Sequence, residues 1–393
     1  MPPARDFDIV LFGATGFTGQ LTADYLSHAV PEGTTWAIAG RNRQKLDGVA
    51  SKLGRGEAVA PETLIADVTD LDSLTRVAES ARVVITTVGP YIHYGDALVA
   101  ACAKAGTDYV DLTGEPEFAD RSYLRHHAAA QASGARLVHA CGFDSIPHDL
   151  GAYFTVQQLP ENAPLKVEGF VRAGGTFSGG TYQSALAAFS RARKMASTAS
   201  ERRKAEPPAP DGRRVHGVKP LPRQESAVHA WAVPFPSIDP QIVLRSARAL
   251  PRYGPDFSYG HYLAIKRLPV AVGGVAGAAG LMGLAQIPPA RRLLERVKSS
   301  GDGPTAEQRA KAWFTVTFVG EGGGQRVRCE VAGGDPGYGE TAKMLAESAL
   351  CLALDDLPQT SGQVTTAQAM GDALISRLQA AGISFSVKEA SGV

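Results

Sequence analysis

The sequence predicts an α/β chain: an N-terminal Rossmann doubly wound parallel sheet, followed by a second α+β domain containing antiparallel strands. Three observations carry this. Short β-branched runs alternate with helical stretches over the first third of the chain, the rhythm of right-handed βαβ units. A turn of small residues, Gly13-Ala-Thr-Gly16-Phe-Thr-Gly19, follows the first run and opens a helix. After Gly142 the rhythm changes. Phe314, Val316, Phe318 and then Val327, Cys329, Val331 alternate on either side of Glu321-Gly-Gly-Gly324, as an antiparallel hairpin with one solvated face requires.

Taken in order, the predicted strands are Asp8–Phe12, Trp36–Ala39, Ala58–Ala66, Arg82–Thr87, Tyr109–Leu112 and Arg136–Ala140, with helices such as Gly19–His28 and Asp96–Ala105 between them. Lys166–Thr176 reads as a further strand and Thr181–Met195 as a helix. Ser197–Glu225, rich in Pro, Arg and Ser without a hydrophobic period, reads as a long loop. Amphipathic helices are expected to close the chain at Thr341–Leu354 and Thr366–Ala381. The division that follows is a Rossmann domain at 1–145, a substrate or interaction domain at 146–335, and C-terminal helices at 336–393 packing back on the first domain.

Leu268 to Ala290 carries no charge, is flanked by Lys266-Arg267 and Arg291-Arg292, and contains glycines at 273, 274, 277, 280 and 283. Its length suits a bilayer, but Gly and Ala outnumber Leu and Ile and prolines bracket it, so weak insertion is expected. A buried or interfacial segment, lining an apolar substrate channel or touching a membrane surface, is the expectation.

The 393 residues carry 40 Lys+Arg against 39 Asp+Glu. This near-neutral balance argues against a general nucleic-acid binder, which needs surplus cations for phosphates. The length suffices for a large core without metals or disulfides. Cys102, Cys141, Cys329 and Cys351 are scattered, with no C-x-x-C or Cys/His metal spacing, so no metal site is predicted and a reducing compartment fits. Arg5 to Leu11 runs into a strand pattern instead of a signal-peptide h-region. The expected location is cytoplasmic, with membrane association through 268–290 left open.

The glycine turn points to a dinucleotide. The chain must turn sharply, approach a pyrophosphate closely and pack its helix tightly, and the anion then rests on free N–H groups at the helix N-terminus. Gly13, Thr15, Gly16, Phe17, Thr18 and Gly19 are the predicted contacts. The second strand ends at Gly40-Arg41-Asn42-Arg43, where an NAD enzyme places a carboxylate for the ribose hydroxyls. Arg41, with Asn42, suits a 2′-phosphate instead, so NADPH is the predicted cofactor. Asp67, after the third strand, faces the adenine or caps the helix Leu71–Ala78.

In open α/β sheets ligands bind beyond the carboxyl ends of the strands. One polar segment there is Val88-Gly89-Pro90-Tyr91-Ile-His93-Tyr94, where Gly89 and Pro90 would clear the nicotinamide ribose. Tyr91, His93 and Tyr94 either donate protons or pack at a domain interface. Another is Cys141-Gly-Phe-Asp144-Ser-Ile-Pro-His-Asp149, where Asp144 is a catalytic acid or a helix cap. Gly174–Tyr182 is a third candidate, whose N–H groups could stabilise an enolate or merely turn strand into helix.

Gly13–Gly19, Val88-Gly-Pro-Tyr-x-x-Tyr-Gly95, Val110-Asp-Leu-Thr-Gly-Glu115 and Gly142-Phe-Asp-Ser-Ile-Pro-x-Asp-Leu150 resemble the saccharopine dehydrogenase-like oxidoreductases, and most closely their actinobacterial trans-acting enoyl reductases. The likeness extends to Gly334-Asp-Pro-Gly-Tyr-x-Glu-Thr341 and the final helix. It implies NADP-dependent reduction of an unsaturated acyl chain held by a separate acyl carrier protein or polyketide synthase. The basic residues Arg202-Arg203-Lys204 and Arg213-Arg214 could meet such an acidic carrier or its phosphopantetheine. A homodimer is compatible. Two alternatives stand beside this reading: a saccharopine-type amino-acid dehydrogenase using Arg172, Arg191, Arg193 and Lys194, and a non-catalytic NADP-binding, membrane-associated scaffold.

Overall fold

The computed structural model describes residues 5–53, 60–174, 191–219, 221–285 and 303–392. The first half builds a parallel sheet from β1 (Phe7–Phe12), β2 (Trp36–Gly40), β3 (Glu62–Ile65), β4 (Ala81–Thr86), β5 (Asp108–Asp111) and β6 (Arg136–Val138). The helices between them are α1 (Phe17–Ala29), α2 (Arg43–Leu53), α3 (Leu71–Ser80), the short α4 (Tyr91–Tyr94), α5 (Asp96–Ala105) and α6 (Pro116–Ser133). After α7 (Ile146–Val156) come β7 (Leu165–Gly174), α8 (Ala192–Ala205), β8 (Arg214–Gly217), β9 (Arg223–Glu225) and β10 (Ala230–Pro234). Next are α9 (Asp239–Ala249), β11 (Asp256–Ile265), α10 (Leu268–Ala285), α11 (Ala306–Ala310), β12 (Trp313–Gly322) and β13 (Gln325–Gly333). The chain continues through α12 (Gly339–Leu354), β14 (Gly362–Val364), α13 (Thr366–Ala369), α14 (Gly371–Ala380) and β15 (Ser384–Gly392).

The first sheet has seven strands in the order β14-β6-β5-β4-β1-β2-β3, all parallel. β1 and β4 are central, so both their faces are buried. Ile9, Leu11 and Ile85 face a core shared with Met344, Leu345 and Ala349 of α12. Val10, Phe12 and Val84 face the opposite layer, with Leu74 of α3 and Leu98 of α5. This is why Ile9–Phe12 and Val83–Ile85 are apolar throughout instead of alternating. Each such side chain, fully buried, contributes roughly 1.5–3 kcal/mol.

The second sheet has eight strands in the order β15-β13-β12-β7-β11-β10-β9, with β8 beside β11. It is mixed: β7 runs parallel to β11 and antiparallel to β12. The predicted hairpin is β12–β13, closed by Gly323-Gly324 with φ of +57° and +74°. A two-residue turn of this hand needs both residues left-handed, which glycine supplies. α7 leaves the edge of the first sheet and packs its apolar face on β12 and β13, so one core runs through both layers.

Four expectations are corrected. Ser197–Glu225 is not a loop: α8 runs to Ala205, and β8 and β9 follow. Its signal was hidden because α8 is held by Arg202, buried against the Tyr123 ring, and not by an apolar stripe. The chain does not close on helices; β14 adds to the first sheet, β15 to the second, and the predicted terminal helix breaks between α13 and α14 at Gly371, with φ of +44°. The segment from Leu268 is a helix, and among its described side chains Leu268, Val270, Val272 and Leu284 are 45–59% exposed, which corrects the buried alternative but not the interfacial one. No helix among the described residues is long and apolar enough to cross a membrane. The helix expected at Thr181–Met195 falls mostly outside the described residues, as does all of the Gly174–Tyr182 loop except Gly174.

Candidate active site

The β1–α1 turn is built as a phosphate cradle. Gly13 has φ of +96°, its N–H donates to the Ala39 carbonyl, and its own carbonyl receives the Gly16 N–H at 3.0 Å. A Cβ at Gly19 would stand 2.2 Å from that carbonyl oxygen, so α1 can lie this close to β1 only with glycine there. Gly16 is different. A Cβ there would meet only the Gly13 carbonyl oxygen, at 3.5 Å. The packing of the chain leaves that space open, and Gly16 is exposed at the N-cap of α1 with no side chain capping the first turn. Unsatisfied N–H groups and the positive end of the helix dipole thus face an open space shaped for a pyrophosphate. Thr15 and Thr18 lie in the same turn, their carbonyls receiving Gln20 Nε2 and Thr22 Oγ1. Phe17 turns its ring onto Tyr338, 4.8 Å away edge-on, and beneath the Arg309 guanidinium. It therefore ties the cradle to the chain beyond β13.

At the end of β2, Arg41 is exposed and makes no hydrogen bond or ion pair among the described residues. Its guanidinium is free for an incoming anion. Asn42 is committed locally: its Oδ1 accepts the Lys45 N–H at 2.9 Å and starts α2. Asp67 accepts the N–H and hydroxyl of Thr69 at 2.9 and 2.8 Å. Those bonds, and more weakly the Arg41 charge, hold its carboxyl below the usual range. The cap of α3 is Asp70, receiving Asp72 and Ser73 N–H, which corrects the capping alternative for Asp67.

The carboxyl ends of β4, β5 and β6 converge. Gly89-Pro90, joined by a cis peptide, leads into α4. Tyr91 is buried, donates its hydroxyl to the Thr86 carbonyl at 3.0 Å and accepts the Leu112 N–H at 3.2 Å. Burial, then the nearby Asp111, pushes this phenol well up. The geometry makes Tyr91 a strap between two strands, the packing alternative. His93 and Tyr94 are exposed on α4, their rings 6.2 Å apart. Asp144 is partly buried and lies against Gly114, whose Cβ would stand 3.2 Å from Asp144 Oδ2. Burial first, and the Asp239 charge second, push Asp144 up to about 7. Ser145, not Asp144, occupies the N-cap position of α7, and no side chain caps that turn.

Residues not singled out from the sequence hold this edge together. Asp111, fully buried, accepts Thr113 and Ala140 N–H with one oxygen and the Tyr109 hydroxyl with the other, which also meets His139 Nδ1 at 2.7 Å. Glu115 accepts the N–H groups of Tyr91 and Ile92, and Thr341 Oγ1 accepts that of Phe143. Val110–Glu115 was read as a family feature; its hydrogen-bonding role is visible only in three dimensions. Beyond Asp144 sits a buried group, His148, Asp239 and His261. Burial pushes His148 down to about 4. Burial would raise Asp239, but the two imidazoles and Ser145 outweigh it and hold its carboxyl low.

A strand–glycine turn–helix with an open anion cradle and a free arginine after β2 defines an NADP(H)-dependent oxidoreductase. Residues 9–138 match the family model of the saccharopine dehydrogenase NADP binding domain. A trans-acting enoyl reductase of Mycobacterium tuberculosis is 39% identical over 418 residues, covering 97% of this chain and 98% of its own length. One from Mycobacterium leprae is 38% identical with the same coverage. The solved apo saccharopine dehydrogenase (L-Glu forming) of Saccharomyces cerevisiae shares the fold, with a TM-score of 0.56 at 12% identity over 98% of this chain and 99% of that one. This chain belongs to the trans-acting enoyl reductase family of saccharopine dehydrogenase-like proteins.

Proposed function

We propose that the chain reduces the carbon–carbon double bond of an unsaturated acyl thioester presented by a separate acyl carrier protein or polyketide synthase. The observation that carries the cofactor half is the open cradle at Gly16 beside the free Arg41. The names of the full-length relatives support the substrate half. The cofactor residues of this reading are Gly13, Thr15, Gly16, Thr18, Gly19 and Arg41, with Gly89 and Pro90 beside the nicotinamide ribose. Bound NADPH supplies hydride to the β-carbon. Asp144, at the convergence of the β5 and β6 loops, is the candidate group for protonating the α-carbon, and the exposed His93 and Tyr94 line the approach. Tyr91 and Glu115 position that edge.

The basic docking reading narrows. Arg202 is buried and bonded to Glu206, and Arg213 donates to the carbonyls of Ala247, Arg248 and Leu250. Arg214 is exposed but paired with Asp256, and Arg203 and Lys204, exposed on α8, are the residues of that group most available to an acidic carrier. The exposed apolar α10, preceded by Lys266-Arg267, is the element suited to a peripheral membrane contact. A polyanionic amino-acid substrate is disfavoured, because Arg191 is taken bidentately by Glu117 and Arg172 lies over the Trp313 ring.

NADPH oxidation is the test. Consumption with an α,β-unsaturated acyl thioester, and none with glutamate plus an aldehyde, is expected. The reverse selectivity, or tight NADPH binding without turnover of any carrier-bound enoyl substrate, overturns the proposal.

A further inference from the structure

The seam between the two sheets contains a group of side chains that neither the cofactor site nor the packing explains. His148 stands in the first turn of α7, Asp239 in the first turn of α9, and His261 in the middle of β11. They are 1%, 0% and 5% exposed. One ligand atom from each lies within 4.8 Å of the other two. We propose that His148, Asp239 and His261 bind a divalent transition-metal ion of the zinc class.

The first argument is the hydrogen bonds that are not made. His148 Nδ1 is 3.5 Å from Asp239 Oδ1, and His261 Nε2 is 3.2 Å from Asp239 Oδ2. At such distances an ordinary His–Asp contact would be a hydrogen bond. Neither pair has the required alignment: His148 Nδ1 and Nε2, Asp239 Oδ1 and His261 Nε2 are all buried without a hydrogen-bond partner. Buried polar atoms are nearly always paired, and with one ligand atom of each residue within 4.8 Å of the other two, these orphans call for a shared partner. For bonds of 2.0–2.1 Å, two ligands of a tetrahedral ion stand roughly 3.4 Å apart. The 3.5 Å from His148 Nδ1 to Asp239 Oδ1 is close to that value.

The second argument is charge. The Asp239 carboxylate is fully buried, and a buried anion is costly without a counter-charge. A divalent cation supplies it. The surroundings reinforce the point: Phe143 packs edge-on against His148 at 5.3 Å, and Phe235 stacks on His261 at 5.6 Å. These rings close the seam with apolar surface.

The third argument is the outer ring of contacts. His261 Nδ1 meets the Tyr259 hydroxyl at 3.2 Å. With its proton on Nδ1, His261 directs the Nε2 lone pair at the carboxylate. Ser237 Oγ donates to Asp239 Oδ2 at 2.6 Å, leaving Oδ1 for the ion. The buried Ser145 hydroxyl stands beside Asp239 and can hold a water in a remaining coordination position. Two imidazoles and one carboxylate favour zinc or its transition-metal neighbours over magnesium or calcium, which prefer all-oxygen sites. Because the ligands come from positions 148, 239 and 261, no spacing in the sequence reveals the site. The ion would pin α7, α9 and β11 together next to Asp144.

The test is metal analysis of the full-length chain purified without chelator. One equivalent of a transition metal per chain is expected. After stripping with a chelator, the protein should take up one equivalent of Co2+ with the visible absorption of a nitrogen- and oxygen-ligated ion, and its melting temperature should rise on refilling. His261→Gln and Asp239→Asn should each lose the bound metal and the Co2+ signal, whereas the surface variant His216→Gln should keep both. NADPH affinity, set at the glycine cradle, should be unchanged in any variant that folds. Metal content no higher than in a control protein, together with no Co2+ signal and no thermal shift in the stripped wild type, overturns the proposal. So does a Co2+ signal that survives in both His261→Gln and Asp239→Asn.

Discussion

Glu115 holds the backbone of Tyr91 with one carboxylate oxygen at 3.0 Å, while its other oxygen takes the neighbouring Ile92 N–H at 2.8 Å. The N-cap residue of α6, just after β5, thereby fixes the turn after β4. Burial pushes the Glu115 carboxyl up, and these two N–H groups oppose that rise. Glu115→Gln replaces one acceptor by an NH2 that faces an N–H donor. The expected cost is about 1–3 kcal/mol of stability, the price of one buried unsatisfied group. Urea denaturation measures it, and an unchanged midpoint would show that the turn does not depend on this carboxylate.

The cradle glycines should separate binding from folding. Gly16→Val adds a side chain where the chain itself leaves room, so the fold should persist while NADPH binding is lost. Gly19→Ala instead drives a Cβ into the Gly13 carbonyl and should lower the melting temperature. Calorimetric titration and thermal melts on both variants check this. Retained NADPH affinity in Gly16→Val would remove the pyrophosphate from this turn.

Arg41→Asp replaces a free guanidinium by a charge that repels a 2′-phosphate. A hydrogen bond to a charged group is worth about 1.5–3 kcal/mol, so NADPH should bind at least roughly ten- to a hundredfold more weakly. NADH, lacking that phosphate, should change little. Equal losses for both cofactors, read by fluorescence titration, would mean that Arg41 does not touch the phosphate.

The parts of this molecule that were legible in the sequence are those where local chemistry and tertiary role coincide. β1, β2 and β4 are apolar runs because both faces of the sheet are covered, Gly13 is a glycine because its φ is left-handed, and Gly19 because backbone meets backbone there. β14 was missed because it is three residues long and pairs with β6, more than two hundred positions earlier. α8 was missed because a buried arginine does the work of an apolar stripe. Asn42 and Asp67 sit where the fingerprint directs attention, yet their oxygens are used by Lys45 and Thr69. The Asp111–His139 pair and the His148, Asp239 and His261 group arise only when distant segments meet.

Asp120 makes the fold sensitive to mild acid in a direction opposite to most carboxylates. It is buried on α6, accepts Gln241 Nε2 at 2.8 Å and stands 3.4 Å from Arg202. Burial pushes its carboxyl up to about 6; Arg202, Arg245 and Arg203 oppose the rise, and Glu206 adds to it. In the unfolded chain the same group titrates near 3.8. Between these values the folded protein binds more protons at this site than the unfolded chain does. The stability owed to Asp120 is therefore full below about pH 4, falls as pH rises, and is gone above about pH 6. The slope is at most about 1.4 kcal/mol per pH unit. Asp120→Asn keeps an acceptor for Gln241 and cannot ionise. Its unfolding free energy relative to the wild type should therefore rise between pH 4 and pH 6 and then level off. Denaturation curves across that range decide the matter, and parallel wild-type and variant profiles would show that Asp120 is ionised throughout.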